Sequence, residues 1–243
     1  MNPNKETAMT LKEIMDELQS KGSEQIKNIL LKHGVREPFF GVRVGDLKPI
    51  QKKIKMDYQL AKDLYATGNA DAMYLAGLIA DDKKMTKEEL QTWAEQGLST
   101  NISEWTVPWV AAGSRYGWEL ALEWIDHKEE YIVASGWATL SNLVSLKPDE
   151  ELDIQDLKGL LERVVREIPT AGNRVRYQMN NFIIAVGAYV AALTAAAIEA
   201  AKKLGVITVN ANGAACKVPN AIDYILKIKD KGTIGKKKKT VKC

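Results

Sequence analysis

Histidine and cysteine are nearly missing from this chain, and each scarcity removes a class of chemistry. Only His33 and His127 occur, far apart, so a histidine-based metal site or a Ser-His triad finds no constellation to build on. Cys216 and Cys243 are the only cysteines, which gives neither zinc-ligand spacing nor a disulfide framework. No apolar run approaches the roughly 18 residues that span a bilayer; the longest, residues 182–190, is far shorter. The first ten residues are polar and lack the apolar core of a signal peptide. A large excess of one charge is also absent: 34 Lys and Arg against 31 Asp and Glu leave +3, so any anion binding has to come from local clustering. These features predict a cytoplasmic monomer with no cofactor and no membrane contact.

What remains is helical. Thr10-Leu-Lys-Glu13 and Thr86-Lys-Glu-Glu89 read as capping boxes, and Ser23, Asp57, Asn69 and Asn173 as further helix starts. A third helix is expected from about Asp46, with Pro49 tolerated in its first turn. Apolar residues recur at helical spacing through Leu157, Leu160, Leu161, Val164 and Val165. Strand signals reduce to residues 206–209. About a dozen short helices with short connections predict an all-α fold, an α-α superhelix (solenoid) of HEAT-like helical repeats over residues 1–226. A compact irregular bundle is the alternative. Residues 227–243 read as a basic C-terminal tail, either solvated or a phosphate-binding arm, because Lys236-Lys-Lys-Lys239 follows Gly232 and Gly235.

Five of the six tryptophans fall between Trp105 and Trp137. Indole faces attract cations and stack on bases, and they also fill cores. Trp105 and Trp109, four residues apart, are either core indoles or an aromatic strip; Trp118, Trp124 and Trp137 sit at core-like spacings. Lys48, Lys52 and Lys55 line one helix face behind Arg43, either solvated or touching phosphates. Arg174 and Arg176 stand in a first helical turn, where the dipole disfavours cations, which points to an anionic partner or to an acidic neighbour in the fold. Tyr177 lies beside them, and Arg115 is a further candidate.

The segment Phe39-Phe-Gly-Val-Arg-Val-Gly-Asp-Leu-Lys-Pro-Ile-Gln-Lys-Lys-Ile54 resembles the N-terminal signature of the DNA alkylation repair family, HEAT-repeat proteins typified by bacterial glycosylases that remove 3-methyladenine and 7-methylguanine. The resemblance continues through Asp71-Ala-Met-Tyr-Leu-Ala-Gly-Leu-Ile79, Trp118-Glu-Leu-Ala-Leu-Glu-Trp124, Val133-Ala-Ser-Gly-Trp137 and Ala215-Cys-Lys-Val-Pro219. It implies DNA as partner, held without sequence specificity in a concave basic groove. Active members use a carboxylate and flanking indoles there, favouring the positive sugar that forms when an alkylpurine leaves. Against that pattern the family's catalytic Asp falls on Pro108, its backbone-contacting Arg on Gly136, and its third groove aromatic on Phe182. Glu104, about one turn before Pro108, is the only nearby acid to take the catalytic role; otherwise it is a helix N-terminal acid. Three readings follow: a DNA-binding member without base excision, an active glycosylase, or a helical scaffold for protein.

Overall fold

The computed structural model describes residues 9–210 and 218–242, and no β-strand occurs among them. Residues 215–217 of the last family-like motif lie outside the described residues. Thirteen α-helices follow one another: α1 (Leu11–Lys21), α2 (Glu24–Lys32), α3 (Val44–Ile54), α4 (Tyr58–Ala66), α5 (Ala70–Ile79), α6 (Lys87–Gln96), α7 (Val107–Gly113), α8 (Gly117–Ile125), α9 (Glu130–Leu146), α10 (Ile154–Glu167), α11 (Asn173–Tyr189), α12 (Thr194–Leu204) and α13 (Ala221–Asp230).

From α3 onward the odd-numbered helices each touch the next odd one, forming an inner row. The even-numbered helices α4 to α10 each pack on the odd helix that follows them, and α12 packs on α10, α11 and α13. That two-layer stack of hairpins is the expected superhelix. The inner row is more apolar because both its sides are covered: every residue of α5 is buried. Two large apolar clusters result, one centred on α5 and the other on α9 and α11, with a small third of Val35, Phe39 and Ala70.

Local chemistry sets the helix starts. Both capping boxes form, and Ser23, Asp57 and Asn69 cap as expected. Gly172 rather than Asn173 is the N-cap of α11. Helix α3 begins at Val44, two residues before the expected start, so Pro49 sits inside it. The carbonyl this leaves unbonded belongs to exposed Gly45, where water can satisfy it. Residues 206–209 form no strand.

The family-like segment at residues 39–48 has a structural basis. The buried Asp71 carboxylate accepts hydrogen bonds from the backbone N–H groups of Phe40 (2.7 Å), Gly41 (3.0 Å) and Val42 (3.3 Å). Gly41 has φ +82°, and a Cβ there would lie 2.6 Å from the Ser23 carbonyl. Only glycine fits, so the Gly-Val-Arg run and Asp71 together lock the entry to α3 against α5.

The expected boundary at 226/227 falls inside α13, which runs to Asp230. The residues beyond are a strap rather than a loose arm. Gly235 N–H bonds Ala188 O (2.9 Å) and Lys238 N–H bonds Ser145 O (2.8 Å). Lys237 reaches Val144 O (2.9 Å) and Asp149 (2.8 Å), while Lys242 reaches Ala80 O (3.0 Å) and Asp82 (2.6 Å). The strap thus ties the ends of α11 and α9 to the end of α5.

Candidate functional site

The inner row is interrupted at one place. Between α6 and α7 residues Ile102–Thr106 form a π turn, in which Val107 N–H bonds the Ile102 carbonyl five residues back. Pro108 explains it. Its ring would clash with the Glu104 carbonyl in a regular α-helix, and it has no N–H to offer that carbonyl. Widening the turn relieves the clash. The turn is held from both sides: Ser135 Oγ of α9 donates to Ser103 O (2.6 Å), and α5 comes so near that a Cβ on Gly77 would lie 2.6 Å from Thr106 Cγ2.

The extra residue in the turn separates two indoles expected on one face. Trp105 is turned outward and remains 46% exposed, whereas Trp109 is 2% exposed. Trp109 packs edge-on against Tyr74 (ring centroids 5.2 Å, 79°) and lies 6.2 Å from Trp105. Trp109 is therefore core and offers no face to a ligand. Phe182 is likewise buried, packed against Trp137 at 5.2 Å, because α11 turns it toward α9.

Trp105 opens on a groove of about 830 Å³. Its walls are the end of α2 and the turn after it (Leu31, Lys32, Arg36), the first residue of α3 (Val44), residues 98–105, the start of α9 (Glu129, Glu130, Tyr131) and the start of α11 (Arg174, Tyr177). The N-terminal ends of α3, α9 and α11 all reach it, so their dipoles add positive potential. Leu31, Val44 and Leu98 are as exposed as Trp105 and give the rim an apolar character.

At the floor lies Glu104, whose side chain is 1% exposed. Arg174 binds it with two nitrogens: Nε donates to Oε1 at 2.5 Å, and Nη2 donates to Oε2. Gln178 Nε2 adds a bond to Oε2 at 2.6 Å. Burial works against the Arg174 charge, and the hydrogen bonds and field of Glu104 overcome it, so the guanidinium is held above its ordinary range. The Arg174 guanidinium also lies 4.8 Å from the Tyr177 ring. Its own backbone N–H is capped by Glu130 (2.9 Å), an acid filling the space left by Gly172. The cation at this helix start is therefore explained by acidic neighbours in the fold.

Glu104 is closed off from the groove in this structure. It has almost no exposed surface and three donors hold it, so water and a sugar have no approach. Pro108 shapes the backbone instead of supplying chemistry. Gly136, where a backbone-contacting Arg was expected, faces α8: a Cβ there would lie 2.8 Å from Ile125 N, so no side chain fits.

The remaining candidates separate. Arg43, Lys48 and Lys52 are exposed along α3, next to the groove wall formed by Val44. Lys55 lies past the helix end at φ 67°, out of the helical row with Lys48 and Lys52. Arg176 bonds the carbonyls of Thr208 (3.1 Å) and Ala171 (2.9 Å), bracing the segment that leads to Val209 in the groove wall without lining the groove itself. Arg115 stacks on Tyr116 beyond the end of α7, on the opposite edge of the molecule. Sequence reasoning missed Lys32, Arg36 and Tyr131. The end of α2 and the turn after it, which carry Lys32 and Arg36, read as an ordinary helix stop, and only the fold of that turn onto residues 99–100 brings it to the groove.

Among charged lining residues, Lys32, Arg36 and Arg174 equal Glu104, Glu129 and Glu130 in number. Arg174 takes up Glu104 with its side chain and Glu130 with its backbone, whereas Lys32 and Arg36 pair with no described carboxylate. No cluster of metal-binding side chains occurs among the described residues.

The sequence matches the family described as DNA alkylation repair enzyme over residues 14–225. An uncharacterized protein of Listeria innocua, Lin0241, is 31% identical over 229 residues, covering 92% of this chain and 99% of the relative. Lmo0209 of Listeria monocytogenes, also uncharacterized, matches with the same identity and coverage. A solved structure superposes with a TM-score of 0.88 at 35% identity, covering 97% of this chain and 100% of that one. It is described as a new family of proteins related to the HEAT-like repeat DNA glycosylases with affinity for branched DNA structures.

Proposed function

The chain belongs to the DNA alkylation repair enzyme family, and on that premise we propose that it is a cytoplasmic, monomeric DNA-binding protein that grips DNA without excising a base. The likeness to a structure described by its affinity for branched DNA supports a distorted or branched duplex as the ligand. Arg43, Lys48 and Lys52, with Lys32 and Arg36 at the groove mouth, are the backbone contacts, which carry no sequence preference. Trp105 and Tyr177 offer faces to sugars and bases, and Arg174 offers its outward N–H groups to a phosphate.

One observation supports the non-catalytic reading: Glu104, the acid beside Trp105 in the π turn, is sealed by Arg174 and Gln178. Its role is to hold Arg174 in place. Incubation with DNA containing 7-methylguanine is expected to release no free base above background, while the same DNA is retained at low salt. Base release that disappears in Glu104→Gln would overturn this reading. Phosphate contact also predicts a steep loss of affinity with salt. Lys48→Ala with Lys52→Ala should flatten the slope of log K against log salt by about 1.8, at roughly 0.9 per contact.

The exposed Leu31, Val44 and Leu98 favour one other reading, a scaffold that docks a protein segment in the groove. It requires that DNA not bind at low salt.

A further inference from the structure

Cations that pair with no described carboxylate also gather away from the groove. The strap returns along the C-terminal ends of α9 and α11, and the groove is built from their N-terminal ends. Helix α9 has 17 residues, so about 25 Å separate the two edges at 1.5 Å per residue. On the strap Lys236, Lys238 and Lys239 are exposed, and none pairs with a described carboxylate. The backbone bonds of Gly235 and Lys238 and the ion pairs of Lys237 and Lys242 fix the segment between them. Lys242 binds Asp82, and a Cβ on Gly113 would touch that same carboxylate, which brings exposed Lys83 and Arg115 to this edge. The apolar residues of the strap, Ile234 and Val241, pack inward.

We propose that this strap edge is a second polyanion site, which takes the phosphate backbone of another duplex arm while the groove and α3 hold the first. This rests on the DNA-binding reading and adds to it a reason for preferring branched DNA. A straight duplex along one edge leaves the other unused; a branched one supplies an arm to each, and the second contact is then intramolecular. Fixed, separated cations without a base-reading group suit a backbone. The inward packing of Ile234 and Val241 leaves no exposed apolar side chain on the strap to enter a lipid surface.

The test compares a four-way junction with a linear duplex of equal length by fluorescence anisotropy across a salt series. The variant is Lys83→Ala, Lys236→Ala, Lys239→Ala, which touches no described ion pair. Junction affinity is expected to fall about tenfold or more at low salt, and its salt slope to drop by about 2.7 for three contacts. Duplex affinity should stay within about twofold of the parent. Trp105→Ala, at the groove, should weaken both ligands. Should the triple variant lose both ligands equally, or neither, the second site is wrong while groove binding stands. Loss of binding to phosphatidylserine vesicles with junction binding intact would assign the edge to a membrane and also overturn the proposal. A parent protein that binds neither DNA at low salt overturns the groove reading itself. If the triple variant melts early, Arg115→Ala with Lys236→Ala repeats the comparison.

Discussion

A single carboxylate shows how environment decides what a residue does. Glu104 has the chemistry of a catalytic acid and lies one turn from the family's catalytic position, yet Arg174 and Gln178 take up its carboxylate. Asp82 is the opposite case. Burial pushes its carboxyl up to about 6, and the charge of Lys242 only partly opposes this. The native state therefore holds a proton that the unfolded chain, near pH 4, has released. Asp82 thus contributes a stability that falls as pH rises from about 4 to 6, by up to about 3 kcal/mol. Chemical denaturation across that range should show the decline, and Asp82→Asn should flatten it. The first-turn position of Arg174 marked it for an acidic neighbour or an anionic partner, but 70 positions separate it from Glu104 and nothing local says which acid it takes.

Elements were far more legible, because the signals that start helices are local. Thr10, Ser23, Asp57, Asn69 and Thr86 cap as their side-chain chemistry dictates. The misses have physical causes. Helix α13 went unread although Asn220 caps it and Ile222, Ile225 and Ile228 recur at helical spacing, because the lysines after it resemble a disordered tail. The π turn was hidden because Pro108 is compatible with a helix start, and only the packing of α5 and α9 keeps the turn inside a continuing helix. That hidden turn is what assigns Trp109 to the core and Trp105 to the groove, a choice the four-residue spacing left open. Close packing in the inner row gives a direct test at Gly136. Gly136→Ala pushes a methyl into the α8 backbone at 2.8 Å and should destabilise by about 1–3 kcal/mol, seen as a lower Tm despite alanine's better helix propensity.

On the scale of the whole molecule, the sequence foretold a stack of hairpins but not how it ends. Val241 packs into the apolar cluster around α5, and Lys242 binds the loop after α5, so the last described residues return to the first third of the chain. An open repeat array unzips from its ends, since each unit meets only its neighbours. Here the last described residues are fastened to the end of α5, so the later repeats cannot melt without loosening the earlier ones. Urea should give one cooperative transition, coincident by circular dichroism and by fluorescence. Lys242→Ala combined with Val241→Ser should split it into two steps, as the array recovers the piecemeal unravelling of an unfastened solenoid.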